Sequence, residues 1–268
     1  MAPAALLLLV SAWEIVSTVR AGGDVGDDRE WAAAADAVRS RHQPGDLIVF
    51  APRWADPIGR LHLGDLIPVE MAARMDAARY ARIWEVSVRG DRAPAGAGAR
   101  QAWRGEFGPV TVRLLEQPPV EVVYDFVETF GQAAISGAYA KRSRDRSVPP
   151  AVDLEEVGFE PRRCVRVVPR PGQTVRVTYG RVPLGSVIVG YVGLADAFTR
   201  REHRQPAELA VEVNGRPAPN VRFGVDDGWV RFEVQTDPTD AATVTFAATA
   251  LGAEAYDKLV CFAAEARK

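Results

Sequence analysis

Gly45-Asp46-Leu47-Ile48-Val49-Phe50-Ala51-Pro52-Arg53-Trp54-Ala55-Asp56-Pro57-Ile58-Gly59-Arg60-Leu61-His62 decides how the first half of this 268-residue chain is read. The apolar run from Leu47 to Ala51 is too short for a helix and has turn residues on both sides, so it reads as a buried strand. Asp56-Pro57 reads as an N-cap followed by proline at the first helical position, which starts a helix after the strand. Connections at the carboxyl ends of such strands are where α/β proteins place ligands. Arg53, Trp54, Asp56, Arg60 and His62 crowd into this one connection, which makes it the first candidate site. Arg53 and Arg60 can clamp a phosphate or carboxylate with paired donors. Trp54 can stack against a sugar ring, and Asp56 with His62 can hydrogen-bond its hydroxyls. A purely structural reading stands beside this one: Asp56 caps the helix, Trp54 packs on the core, and the arginines pair with Asp46, Asp65 or Glu70.

Upstream, Asp27-Asp28 precedes Glu30-Trp31 and an alanine-rich helix reaching about His42, with Trp31, Ala34, Ala35 and Val38 on one face at helical spacing. Gln43-Pro44-Gly45 ends it with turn residues. Downstream, a helix is expected within residues 69–80. Residues 82–88 then alternate, with Trp84, Val86 and Val88 on one face. After a loose Gly/Ala/Pro-rich loop, a short helix is expected over 100–107, followed by alternating segments at 110–116 and 120–127. The order β, α, β, α, β, β predicts a sheet with part of its pairing parallel. Residues 141–150, charged and ending in Pro149-Pro150, offer nothing to bury and read as a linker.

Beyond the linker the period changes to two. Val165/Val167, Val175/Val177/Tyr179, Val187/Val189/Tyr191, Leu209/Val211/Val213, Val221/Phe223, Val230/Phe232/Val234, Val244/Phe246 and Leu259 to Ala263 mark eight short strands. Asn214-Gly215 is the strongest short-range hairpin signal. The expected fold is α+β in two domains: an N-terminal α/β sheet domain over 24–140, then an antiparallel β-sandwich of jelly-roll kind over 151–268.

Residues 1–23 stand apart. Pro3 to Trp13 is almost wholly apolar, Glu14 interrupts it, and Val19-Arg20-Ala21 follows. The apolar stretch is short of the roughly 20 residues that span a bilayer. Its length suits a signal peptide, and Val19-x-Ala21 resembles a cleavage site, although no Lys or Arg precedes the apolar run. The trailing half of a membrane helix and a buried amphipathic helix are the other readings. Membrane association would run through residues 4–19. Cys164 and Cys261, both in strand-like segments, form an even pair. They are read either as a disulfide, as an exported protein would carry, or as two small buried apolar residues.

The net charge of −2 gives no electrostatic argument for nucleic acid. All but three of the 33 basic residues are arginine, which fits the alanine-rich composition of the chain as a whole. There is no G-x-S-x-G, no H-E-x-x-H and no phosphate-cradling glycine loop, and His42, His62 and His203 are scattered singly. No metal site, no cofactor and no catalytic residue is therefore assigned. The polar connection holding Arg200 and His203, together with Trp229 after Asp226-Asp227-Gly228, is a secondary candidate for lining a ligand groove. Solvated loop and core anchor are the plainer readings of these residues, and calcium at the two aspartates lacks further carboxylates.

Trp31-x-x-x-Ala35, Pro44-Gly45-Asp46-Leu47-Ile48-Val49, Pro52-x-Trp54 and Arg60 together resemble a segment of bacterial polytopic glycosyltransferases of the GT-C type, the protein-mannosyltransferase and aminoarabinose-transferase kind. The match covers roughly residues 29–65. In that family the segment belongs to the extracytoplasmic α/β domain that follows the last membrane helix. The family's catalytic acidic residue lies in an early loop between transmembrane helices, and this sequence contains no such bundle. The resemblance thus implies an extracytoplasmic accessory domain for a glycan or lipid-linked sugar, periplasmic or secreted and non-catalytic by itself. Two alternatives remain: a hydrolase using Asp56, Arg60 and His62, and a structural interaction module.

Overall fold

The computed structural model describes residues 2–139, 141–142, 146–195, 206–252 and 259–268. They form two compact units, the first comprising Met1–Met71 and Asp76–Pro119, the second Ala72–Met75 and Val120–Lys268. The division thus falls after Pro119 and not in the expected linker at 141–150. Residues 120–127, read as the last strand of the first domain, belong to the second.

The first unit opens with α1 (Ala2–Gly23) and α2 (Asp28–Arg39). Asp27 caps α2 by accepting from the Glu30 amide while the Glu30 carboxylate accepts from the Asp27 amide, a reciprocal capping box. The face at i, i+3, i+4 and i+7, Trp31, Ala34, Ala35 and Val38, is buried as the spacing requires. On α1, Leu6, Leu7, Val10, Trp13, Ile15 and Val16 are exposed. Among the described residues no helix is long and apolar enough to cross a membrane.

Strand β1 (Leu47–Ala51) leads through a 3-10 turn (Arg53–Ala55) into α3 (Asp56–Leu63). Beyond the four-residue α4 (Val69–Ala72) come β2 (Arg82–Ser87), β3 (Arg100–Phe107) and β4 (Val110–Glu116), in the sheet order β1-β2-β4-β3. Strands β1 and β2 are parallel, Leu47 opposite Ile83 and Ala51 opposite Ser87, and the other two pairings are antiparallel.

Two expectations fail here. The helix expected over 100–107 is strand β3, and the helix within 69–80 is only α4. Arg100-Gln101-Ala102 are good helix formers, but pairing along β4 overrides that local preference, and β3 lies at the edge of the sheet with its polar side chains in water.

Nor is the sheet apolar on one face only. Ile83, Glu85 and Ser87 are buried along with Trp84 and Val86. Glu85 Oε1 accepts from Arg113 Nη1 and pairs with Arg92 Nε, both at 2.9 Å, and Oε2 accepts from the Ala93 amide at 2.7 Å. Asp46, also buried, accepts from Arg82 Nε and Trp84 Nε1 at 2.8 Å each and from the Gln43 amide at 3.0 Å. Each buried carboxylate has several donors, as burial of charge demands.

The second unit is an antiparallel β-sandwich. Its strands are β5 (Val122–Asp125), β6 (Ala134–Gly137), β7 (Lys141–Arg142), β8 (Arg146–Ser147), β9 (Ala151–Val157), β10 (Glu160–Val167), β11 (Thr174–Leu184), β12 (Val187–Leu194), β13 (Ala207–Val213), β14 (Arg216–Pro217), β15 (Val221–Phe223), β16 (Val230–Gln235), β17 (Thr239–Ala250) and β18 (Val260–Arg267). One sheet runs β16-β12-β18-β10-β9 with β5 also on β18, the other β14-β13-β17-β11-β6 with β15 also on β13. From β10 to β13 successive strands alternate between the sheets, and β16, β17 and β18 do so again. Inward residues of both sheets share one core, including Val165, Val177, Ile188, Leu209, Phe232 and Phe246.

Inside that core Phe126, Tyr179, Phe246 and Phe262 form a connected ring cluster with centroids 4.7–6.1 Å apart. The Tyr179 hydroxyl donates to the Phe126 carbonyl at 2.7 Å. Burial raises its pKa above the ordinary phenol value, with nearby Tyr124 and Asp125 adding to the effect. Asn214 and Gly215, at φ 51° and 76°, make the expected two-residue turn between β13 and β14. A disulfide joins Cys164 and Cys261 on the neighbouring strands β10 and β18.

Candidate functional site

The candidate site is built where β1 and β2 end side by side. Because the two strands are parallel, their carboxyl ends point the same way, and the Val88 amide donates to the Ala51 carbonyl at 2.9 Å to hold the exits together. The connection after β1 carries Arg53 and Trp54; the connection after β2 carries Arg89. The Arg89 guanidinium lies over the Trp54 indole, 5.2 Å from its centroid. Trp54 nevertheless keeps 47% of its surface exposed, so it is not the core-packing residue of the structural reading.

The α3 helix that follows is fixed by close packing. A Cβ on Gly59 would come within 1.9 Å of the Phe50 ring, so only glycine lets α3 approach β1 this closely. Asp56 does not cap this helix, as the Asp-Pro motif suggested. Ala55 is the N-cap, because the 3-10 turn shifts the start by one residue, and Asp56 lies in the first helical turn. Its carboxylate accepts from Arg60 Nε at 2.5 Å and Arg60 Nη2 at 3.2 Å, an i,i+4 pair whose side chains are part-exposed. Asp46 and Asp65, named as possible partners for the loop arginines, are engaged instead by Arg82 and Arg39.

His62 turns away from this group. Its ring stacks on Trp31 with centroids 6.2 Å apart, its Nε2 is 3.5 Å from Asp28, and only 14% of its side chain is exposed. Asp56 is held by Arg60 and His62 by α2, so the convergence that the hydrolase alternative required is replaced by two separate structural contacts. Arg53, Trp54, Asp56 and Arg60 stay together in the turn and the start of α3, and Arg89 joins them. Sequence reading missed Arg89, since nothing local announces that β1 and β2 are parallel neighbours. In the structure Arg89 and Gly90 both take positive φ, 57° and 73°, and of the two only Gly90 announces a turn in the sequence.

The secondary candidate divides. Arg200 and His203 lie outside the described residues. Trp229 donates from Nε1 to the Glu160 carbonyl at 2.8 Å, and Arg162 stacks over it and over Tyr191, 5.1 and 3.9 Å from the ring centroids. Trp229 is therefore a wall of a cation–π stack within the sandwich, matching the anchor reading. Asp227 accepts from the Gly224 amide at 2.7 Å and so closes its own turn. Among the described residues no group of three His, Cys, Asp or Glu is placed to hold a metal ion.

No family model matches the chain, and no curated protein does. Solved structures similar to it include the CBM51 of a Clostridium perfringens GH95 in complex with methyl-galactose, at 8% identity and TM-score 0.34, covering 53% of this chain and 98% of that one. The CBM51-2 in complex with GlcNAc and INT domains of Clostridium perfringens ZmpB align at 9% identity and TM-score 0.39, over 68% of this chain and 40% of that one. TmCBM61 in complex with beta-1,4-galactotriose aligns at 14% identity and TM-score 0.32, over 55% of this chain and 99% of that one. The chain thus spans less than half of the ZmpB structure. Similarity at this level carries no argument about what this chain binds.

Proposed function

We propose that this chain is a non-catalytic glycan-binding protein, acting outside the cytoplasm on a glycan or lipid-linked sugar in cell-envelope assembly. The observation that carries the reading is Trp54. It is a large indole, half in water at the joined ends of two parallel strands, with the hydrogen-bonding pair Asp56–Arg60 in the next turn. Apolar faces of sugar rings stack on such indoles, and carboxylate and guanidinium edges match sugar hydroxyls as acceptor and donors. A few fixed polar groups beside an aromatic surface are the usual composition of a small-ligand site.

Two further features support the location. The Cys164–Cys261 disulfide belongs to an oxidising compartment. The exposed apolar side chains of α1, from Leu6 to Val16, suit contact with a lipid surface, which would keep the protein at the envelope. Glycan-array binding followed by titration calorimetry tests the function: binding is expected, and Trp54→Ala is expected to remove it. Vesicle flotation of the chain with and without residues 1–23 tests the membrane contact, with flotation expected only when they are present.

A further inference from the structure

We infer that two copies of this chain pair through the open edge of β3, antiparallel and about a two-fold axis at Gly105, so that the four-stranded sheet becomes one of eight strands. Strand β3 ends the sheet order β1-β2-β4-β3 and pairs with β4 alone among the described strands. An edge strand presents a row of unpaired backbone groups that a further strand can take up. Which groups face outward follows from the register. The two-residue turn Gly108-Pro109 makes Phe107 and Val110 a bonded pair, and opposite pairs then alternate along the ladder. Trp103, Gly105 and Phe107 therefore bond β4, while Arg104 and Glu106 turn their N–H and C=O groups to the open side.

The charges on that edge choose the partner. Arg104 and Glu106 pair with one another at 2.5 Å, with 48% and 64% of their side chains exposed. Around a two-fold axis at Gly105, residue 104 of each copy lies opposite residue 106 of the other. Residues two apart along a strand are about 6.7 Å apart, whereas bonded opposite residues are about 5.5 Å apart. The existing pair is thus kept and closed into a ring of four alternating charges, each arginine beside two carboxylates. Charged side chains normally guard an edge against association; these two guard it against strands other than a second copy in this register. An axis at Arg104 or at Glu106 would set like charges opposite each other. An axis at Trp103 would run the second copy across the register shift between Gln101 and Trp103.

The other face of β3 adds an apolar contribution. Trp103 and Phe107 are part-buried, and a Cβ on Gly105 would come within 2.4 Å of the Trp103 ring and 3.0 Å of the Phe107 ring, so both rings lean over the glycine. In the dimer the two glycines meet at a non-bonded position, where opposite backbones approach most closely. Trp103 of each copy then lies opposite Phe107 of the other, and cross-strand aromatic pairs of this kind stabilise a sheet. The sandwich edge strand β16 repeats the charge order in Arg231-Phe232-Glu233. There, however, Phe232 and Val234 are already buried, so pairing would gain little apolar contact.

Sedimentation velocity of the full chain, from about 1 μM to about 1 mM, tests the inference, with thermal melting to verify the fold of each variant. The native chain is expected to show monomer and dimer in exchange. Arg104→Glu leaves two acidic residues on the edge and Glu106→Arg leaves two basic ones. Each alone is expected to weaken self-association at least about tenfold. Mixed together, the two variants are expected to regain the dimer, because every charge again meets its opposite. Arg231→Glu and Glu233→Arg, on β16, are expected to leave the dimer unchanged. Hydrogen exchange is expected to slow at the Arg104 and Glu106 amides as concentration rises, and not at Gly105. A chain that stays monomeric throughout overturns the inference. So does association that survives both single variants, as contact through the exposed side chains of α1 would, or that responds to β16 instead. Failure of the mixture to regain the dimer overturns it as well.

Discussion

Between its two sheets the second unit buries a continuous apolar interior, in which Phe126, Tyr179, Phe246 and Phe262 meet ring to ring; the first unit puts Glu85, Arg113 and Asp46 inside its fold and matches each with donors or acceptors. The difference shows where each unit has freedom. A sandwich core made of interlocking rings is specified by shape and tolerates changes outside it. A sheet that buries carboxylates is specified by donor placement. In this protein those same donors, Arg92 and the Ala93 amide, fix the loop that carries Arg89. The second unit buries a charged pair as well, Arg267 Nε donating to Glu265 at 2.8 Å within one strand, but in the first unit the buried carboxylate also fixes a strand-end loop.

The largest effects should separate the units by chemistry. Phe246→Ala, which opens a cavity among the three remaining rings of Phe126, Tyr179 and Phe262, is expected to cost about 3–5 kcal/mol. Glu85→Ala is expected to cost a similar ~3–5 kcal/mol by leaving Arg113 buried without its carboxylate. Replacing Glu85 and Arg113 together by apolar residues should recover most of that loss, whereas no polar partner exchange rescues Phe246→Ala. Hydrogen exchange resolved by segment reads both, with protection lost mainly in the unit that carries the change. If Glu85→Ala alone were harmless, the contrast between the units would fall.

Next in size is the disulfide. Cys164 and Cys261 are 97 residues apart in sequence, and opening the bridge frees a long loop in the unfolded chain. Replacing both with alanine should cost about 2–4 kcal/mol, read as a lower melting temperature of the second unit alone. Gly59→Ala should follow at about 1–3 kcal/mol, because its methyl group must displace the Phe50 ring. It also moves α3, so calorimetry should show weaker glycan binding together with the lower stability.

The smallest effect is Tyr179→Phe, at about 1 kcal/mol for the hydroxyl bonded to the Phe126 carbonyl. It carries a pH signature. The buried phenol's pKa is raised in the folded state, so its contribution is complete below the unfolded value near 10. Stability is lost as pH rises beyond that point, because the unfolded chain releases the proton and the folded chain keeps it. Melts from pH 8 to 11 should show the second unit of the native chain falling faster than that of Tyr179→Phe.

How much of this was legible in the sequence follows the same division. In the sandwich the period of two marked eight strand segments, and Asn214-Gly215 marked its hairpin, because one face of those strands meets the core; β6 and β9, mostly exposed strands at the sheet edges, went unread. Strand β12 is the exception that explains the rule. Val187, Val189 and Tyr191 were the marked residues, yet Ile188 and Val192 join the core, since an apolar run carries no phase. In the first unit the capping box and one apolar face made α2 plain. Strand β3 was not, being an edge strand with polar side chains on both faces. The domain boundary was misplaced because β5 joins β18, a partner about 140 residues away in sequence. At the site, Arg53, Trp54, Asp56 and Arg60 were legible as neighbours in one loop. His62 was wrongly grouped with them, since chain proximity says nothing about which side of a helix a ring will take. Arg89 could be seen only once β1 and β2 were known to be parallel.

The central claim is that the exposed indole at the ends of β1 and β2 is a sugar platform. Titration calorimetry of the native chain and Trp54→Ala against the best ligand from a glycan array tests it most directly. The account predicts saturable binding that falls at least about tenfold in the variant while its melting temperature stays unchanged. The same affinity in both proteins would contradict it, and would move the glycan-binding surface away from Trp54.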